Sequence, residues 1–171
     1  MDKHIAVVDV GATNTRVVLL DQDLREVASR KTETRHKSGP PYLHIDSDAL
    51  LAFVKGAIIE LDAIEPVGTI SVSAFGATIA CLDAEGALVL PVMDYLAEAP
   101  PEVDAGYARI APPFSEVFSV TSPGALTLGK QLYWLETVYP EAFARIATVL
   151  PWSGFIAHRL GGGMANEVSN L

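Results

Sequence analysis

The sequence predicts an α/β protein with a sheet of mixed strand direction and flanking helices. Three observations carry this. An apolar run, Ile5-Ala6-Val7-Val8, opens a series of three strand patterns joined by tight turns. A helix with a single apolar stripe follows, and then a further strand pattern, Thr69 to Ala74. Three antiparallel strands, a helix and one more strand do not make a doubly wound parallel sheet.

The uninterrupted apolar run suits a central strand buried on both faces. Gly11-Ala12-Thr13-Asn14 turns the chain, and Arg16-Val17-Val18-Leu19-Leu20 brings it back. Asp21-Gln22-Asp23 turns it again into Glu26 to Thr34, whose charged character suits an edge strand. Gly39-Pro40-Pro41 ends this unit. Asp46 is a good N-cap and Asp48 lies in the first turn, where the helix dipole favours a carboxylate. Leu50, Phe53, Val54, Ala57, Ile58 and Leu61 then form one helical stripe, stopped by Pro66-Val67-Gly68. Ile79 to Leu82 leads into the turn Asp83-Ala84-Glu85-Gly86, and Ala87 to Met93 returns as a strand. From Ala97 to Gly124 the pattern predicts a long loop with one short helix near Val103 to Ile110, and loops of that length are usually functional. Leu128, Leu132, Leu135 and Val138 line one face of a helix. Pro140 suits the first turn of the next helix, Glu141 to Ile146, and a third runs from Ser153 to Leu160 before Gly161-Gly162-Gly163.

Length and composition exclude several classes. The chain has 171 residues, half of them hydrophobic and 19% charged, which suits about one domain and rules out a disordered chain. The net charge is −9, so phosphate backbones and anionic lipid surfaces would be repelled, and no nucleic-acid or membrane partner is expected. A single cysteine, Cys81, excludes an intrachain disulfide and suits a reducing compartment. With no signal-like leader and no sufficiently long apolar span, the expected location is cytoplasmic. His4, His36, His44 and His158 show no metal-ligand spacing.

The segment with chemical content is Val8-Asp9-Val10-Gly11-Ala12-Thr13-Asn14-Thr15-Arg16. An acidic residue ends a strand, and a tight Gly/Thr/Asn turn presents backbone N–H groups toward one point, an anion nest suited to terminal phosphates. Asp9, ending a buried strand, would be costly unless it held something, and Mg²⁺ bound through water is the natural candidate. The alternative is an ordinary hairpin whose Gly and Asn supply positive φ. The Rossmann and Walker glycine patterns are both absent.

This segment resembles the first phosphate motif, D-x-G-x-T-x-x-R, of the actin-like, sugar-kinase and heat-shock ATPase superfamily. Within it the chain is similar to the FGGY carbohydrate kinases, nearest to the fuculose, rhamnulose and xylulose kinase branches. Two further blocks follow in that family's order: Ile70 to Asp83 with Glu85-Gly86 and Pro91-Val92, and Leu128 to Leu135 with Tyr139-Pro140-Glu141, Pro151 to Leu160 and Asn166 to Asn170. The resemblance implies a ribonuclease H-like domain of a kinase that transfers a phosphoryl group from ATP, with Mg²⁺, to a sugar or sugar-alcohol hydroxyl. It implies that Gly11, Ala12, Thr13 and Asn14 cradle the β/γ-phosphates and that Asp9 positions the metal. Arg16 would support the transferring charge or pair with a neighbouring carboxylate. Phe75, Gly76, Ala77 and Thr78 fall in the family's sugar-contacting turn, and Asp94-Tyr95 falls where the family often carries Trp-x-Asp-x-Arg. The Trp and Arg of that clamp are missing, so sugar identity does not carry over, and a surface carboxylate is the plain alternative for Asp94.

The family's catalytic base and its adenine-holding second domain would lie beyond Leu171, since 171 residues cover well under half of such a kinase. The isolated chain, a piece of a longer one or a shortened gene product, is therefore expected to be inactive and to self-associate through uncovered apolar faces. The alternative from a different class is a non-catalytic actin-like module that binds a sugar or a protein.

Overall fold

The computed structural model describes residues 3–118, 120 and 122–166. In chain order the elements are β1 (His4–Val10), β2 (Asn14–Leu20), β3 (Glu26–Glu33), β4 (His36–Lys37), β5 (His44–Ile45), α1 (Ser47–Asp62) and β6 (Val67–Ala74). Then come β7 (Ile79–Leu82), α2 (Pro101–Ile110), α3 (Phe114–Val117), α4 (Leu128–Val138), α5 (Pro140–Phe143), β8 (Thr148–Pro151) and α6 (Trp152–Arg159). Where length alone suggests about one domain, the chain forms two compact units, one from residues 1–36, 45–76 and 150–171 and one from 37–44 and 77–149.

The first unit holds a sheet of order β3-β2-β1-β6. β1 runs antiparallel to β2, with Val8 opposite Val17, and parallel to β6, with Val8 opposite Val72. This is the predicted mixed sheet, with β3 at an edge. Ala6, Val8, Val10, Val17 and Leu19 are buried on one face. α1 packs across the strands and buries Leu50, Val54, Ala57 and Leu61. α6 packs on β6 and buries Trp152, Phe155 and Ile156. Each such Val, Leu, Ile or Phe side chain stabilises the fold by about 1.5–3 kcal/mol. The predicted cap is present: the Asp46 carboxylate accepts from the Ala49 N–H at 3.3 Å.

β1 is not buried on both faces as its apolar run suggested. Its burial alternates, with Ile5 and Val7 only half-buried and Asp9 exposed. Periodicity cannot report which face is covered, and here the second face shares its strands with Arg16, Ser71 and Ser73, opposite or beside Asp9 and Val7.

The second unit has its own core of Tyr42, Ile79, Cys81, Met93, Val103, Trp134 and Leu135. Tyr42 meets Trp134 edge-on at 5.7 Å and donates its hydroxyl proton to the Pro91 carbonyl at 2.8 Å. Burial pushes the Cys81 thiol up to about 11 and the Tyr42 hydroxyl further still.

Two expectations fail here. Residues 87–93 do not return as a strand; Leu88 and Met93 make only isolated bridges, to Leu82 and His44. β7 pairs instead with β8, four residues too short to show a period of their own. In α4 the buried residues are Lys130, Gln131, Trp134 and Leu135, while Val138 at the end of the predicted stripe is 37% exposed. Polar partners make that burial tolerable: the Lys130 ammonium donates to Asp104 at 3.0 Å and to the Ser122 carbonyl at 3.1 Å.

Candidate functional site

β1 and β6 are parallel and finish at the same end of the sheet, where the Phe75 N–H donates to the Val10 carbonyl at 3.0 Å. The turn from β1 to β2 sits at this end. Gly11 donates its N–H to the Asn14 carbonyl at 2.8 Å, closing the turn. A Cβ on Gly11 would lie 3.0 Å from that carbonyl oxygen. Neither Gly11 nor Asn14 has positive φ, so close approach of the backbone, not a left-handed conformation, is what glycine supplies here.

Residues following β3 reach back to this turn. Thr34 donates its N–H to the Thr13 carbonyl at 2.9 Å and its hydroxyl to the Gly11 carbonyl at 2.8 Å. Because the Thr34 hydroxyl proton is used there, the buried Thr15 hydroxyl is the donor in their 2.9 Å contact. His36 donates from Nε2 to the Ala12 carbonyl at 2.9 Å. Among the described residues, the Ala12 and Thr13 N–H groups have no acceptor.

Asp9 stands one residue before the end of β1 and is exposed. This corrects the desolvation argument made from the apolar run: Asp9 bears no burial cost. Among the described residues nothing pairs with its carboxylate. Arg16 lies directly across from it in the β1–β2 register, yet its guanidinium is held at 2.6 Å by Glu26 and at 3.2 Å by the Ser29 hydroxyl. The neighbouring-carboxylate alternative is thus the observed state of Arg16. Hydrogen bonds from Ser29 and Arg16 hold the Glu26 carboxyl below its ordinary value.

The remaining expected contacts divide between the units. Phe75 and Gly76 belong to the first, and Gly76 is exposed with open space around it. Ala77 and Thr78 belong to the second. Ala77 takes the left-handed conformation at φ 56°, rare for a residue with a Cβ, and its carbonyl accepts from Gln131 Nε2 at 2.7 Å. Thr78 is buried, and its hydroxyl has no partner among the described residues. Asp94 is no surface carboxylate: it is 1% exposed and accepts from the Leu96 N–H at 2.7 Å. Tyr95 is half-buried, with its carbonyl accepting from the Ala125 N–H at 3.2 Å.

Among the described residues no three His, Cys, Asp or Glu side chains gather as a metal cluster, and no helix is long and apolar enough to cross a membrane. Sequence reasoning passed over Thr34, His36 and Gln131. The only signal for the first two was a Thr and a His at the end of an edge strand, and Gln131 stood out only as a member of the third sequence block.

A mixed four-stranded sheet of order β3-β2-β1-β6 with helices packed on it is an α/β fold of the ribonuclease H-like class. Residues 4–171 match the family model "FGGY family of carbohydrate kinases, N-terminal domain", and the chain belongs to that family. Among solved structures it is similar to a carbohydrate kinase from Novosphingobium aromaticivorans, with 29% identity, a TM-score of 0.85, and coverage of 92% of this chain and 33% of that one. A xylulose kinase from Lactobacillus acidophilus shares the fold at 20% identity and a TM-score of 0.76, with 92% and 33% coverage. A glycerol kinase from Plasmodium falciparum shares it at 16% and 0.70, with 93% and 33% coverage. The chain thus spans about a third of the length of these structures. A search of curated protein sequences found no match. The third sequence block is covered by described residues only as far as Asn166; Glu167 to Asn170 lie outside them.

Proposed function

We propose that this chain is the phosphate- and sugar-contacting N-terminal part of a cytoplasmic, ATP-dependent carbohydrate kinase, acting on a sugar or sugar-alcohol hydroxyl. One observation carries it: a turn with two N–H groups lacking any described acceptor, next to an exposed carboxylate that nothing described pairs with. Backbone N–H groups so arranged accept an anion without needing basic side chains, which suits a chain of net charge −9.

In this reading Ala12 and Thr13 donate to the terminal phosphates, Gly11 and Asn14 shape the turn, and Asp9 holds Mg²⁺ through water. Bound there, the cation neutralises charge on the transferring phosphoryl group. A lone exposed carboxylate fits such water-mediated binding, because Mg²⁺ gives up its hydration shell reluctantly. Arg16 enters as the residue that fixes β2 to β3 opposite Asp9, through Glu26 and Ser29. Phe75 and Gly76 are the candidate sugar contacts of the first unit, and Ala77, Thr78, Asp94 and Tyr95 are those of the second. The catalytic base and the adenine site belong to parts of the kinase outside these residues, so residues 1–171 alone give no turnover.

The test is a coupled ADP-release assay on the complete natural polypeptide with a panel of polyols, ketoses and aldoses. Asp9→Asn is nearly isosteric at an exposed site and is expected to leave the melting temperature unchanged. Its kcat should fall by about 100-fold or more with little change in sugar KM, since the lost interaction acts in the transition state. Wild-type turnover in Asp9→Asn would end the metal assignment. No turnover on any acceptor, by a wild-type protein that still binds sugar, would favour the non-catalytic module.

A further inference from the structure

We infer that Thr34 and His36 are positioning residues that aim the N–H groups of the β1–β2 turn; this rests on the phosphate-binding reading of that turn. In a planar trans peptide the carbonyl of one residue and the N–H of the next point in opposite directions. Fixing the Gly11 carbonyl therefore fixes the Ala12 N–H, and fixing the Ala12 carbonyl fixes the Thr13 N–H. The Thr34 hydroxyl does the first at 2.8 Å, and the His36 ring does the second at 2.9 Å. The Thr34 N–H holds the Thr13 carbonyl at 2.9 Å, so three consecutive carbonyls are tethered by one short segment.

The consequence is electrostatic. A free three-residue turn can flip a peptide and present a carbonyl oxygen, which repels a phosphate. With all three carbonyls tied, the Ala12 and Thr13 N–H groups are turned away from the tethers, the two donors with no described acceptor. The turn is organised before any anion arrives, so binding does not have to supply the ordering.

The two tethers differ in what else they do. Thr34 is 7% exposed and also accepts from the buried Thr15, so its loss disturbs packing as well as aim. His36 is exposed, and its loss removes one tether without opening the core.

The experiment titrates the isotope-labelled complete natural polypeptide with inorganic tripolyphosphate, following the Ala12 and Thr13 amide resonances, with melting temperature measured in parallel. In wild type both resonances should move saturably. His36→Leu should weaken binding about 5–10-fold, the loss of one hydrogen bond's worth of ordering, with the melting temperature within about 2 °C of wild type. His36→Gln can still donate to the Ala12 carbonyl and should bind within about threefold of wild type. Thr34→Val should lose more affinity and also melt lower.

If wild type responds and His36→Leu binds equally well, the positioning role is overturned while the phosphate site stands. If His36→Gln is as weak as His36→Leu, the ring acts through its charge and the tether assignment fails. If the wild-type resonances do not move, the phosphate reading fails and the inference falls with it.

Discussion

Replacing Gln131 by Glu changes one atom and inverts a buried hydrogen-bonding group. Gln131 is fully buried, and its Nε2 donates to the Ala77 carbonyl at 2.7 Å and the Ala125 carbonyl at 2.5 Å, while its Oε1 has no described partner. In Gln131→Glu an ionised carboxylate would face two carbonyl oxygens. The side chain therefore stays protonated in the folded state, where its O–H restores one of the two bonds. An unfolded Glu ionises near pH 4.3 at about 1.4 kcal/mol per pH unit, so holding the proton at pH 7 costs about 3.7 kcal/mol, and the unrestored hydrogen bond adds about 1 kcal/mol. The sign follows from linkage: a folded carboxyl raised above its unfolded value is fully stable below the unfolded value and loses stability as pH rises. Urea denaturation of wild type and variant at pH 5.5 and 7.5 checks this. The destabilisation should grow by about 2.7 kcal/mol between the two. A pH-independent difference, or one below about 1 kcal/mol at pH 7.5, would refute the claim that these carbonyls depend on the Gln131 amide. Function enters through Ala77, whose left-handed conformation shapes the turn expected to meet sugar.

Gly11→Val should distort the phosphate turn, since its Cβ would press on the Asn14 carbonyl oxygen at 3.0 Å, a backbone atom; weaker tripolyphosphate binding and a lower melting temperature are expected, and wild-type values for both would contradict the close-approach argument. The Cys81 thiol, pushed up to about 11 by burial, should react with a thiol reagent at pH 8 only as fast as the protein opens, which added urea should accelerate. Its unfolded form ionises first, so stability should fall as pH climbs above the usual thiol value near 9. Ile110, Phe114, Phe118 and Val120 are each more than half exposed along one stretch. Self-association of the isolated chain should therefore appear in light scattering and weaken in Phe118→Asp, whereas a clean wild-type monomer at high concentration would count against it.

Family and fold were legible in the order of local signals. Turn residues at Gly11 to Asn14, the Asp46 cap and the stripe of α1 act over a few residues, so their physics is written in neighbouring letters. The Gly11 to Asn14 turn is of this kind, and it joins β1 to β2 where it was expected. What the letters could not carry is which distant group meets which. Thr34 and His36 reach the turn across 23 and 24 residues, and Gln131 reaches Ala77 across 54. The same limit explains the errors: a buried Lys130 and Gln131 looked like the polar side of α4, β8 had no period of its own, and Asp9 looked buried because its strand was apolar. Arg16 had two open partners in the sequence, and packing of β2 against β3 gave it to Glu26. Local propensity determined the elements and the motif; the tertiary structure decided which polar groups are satisfied and where the free N–H groups point, because burial and hydrogen bonding depend on neighbours that only folding brings together.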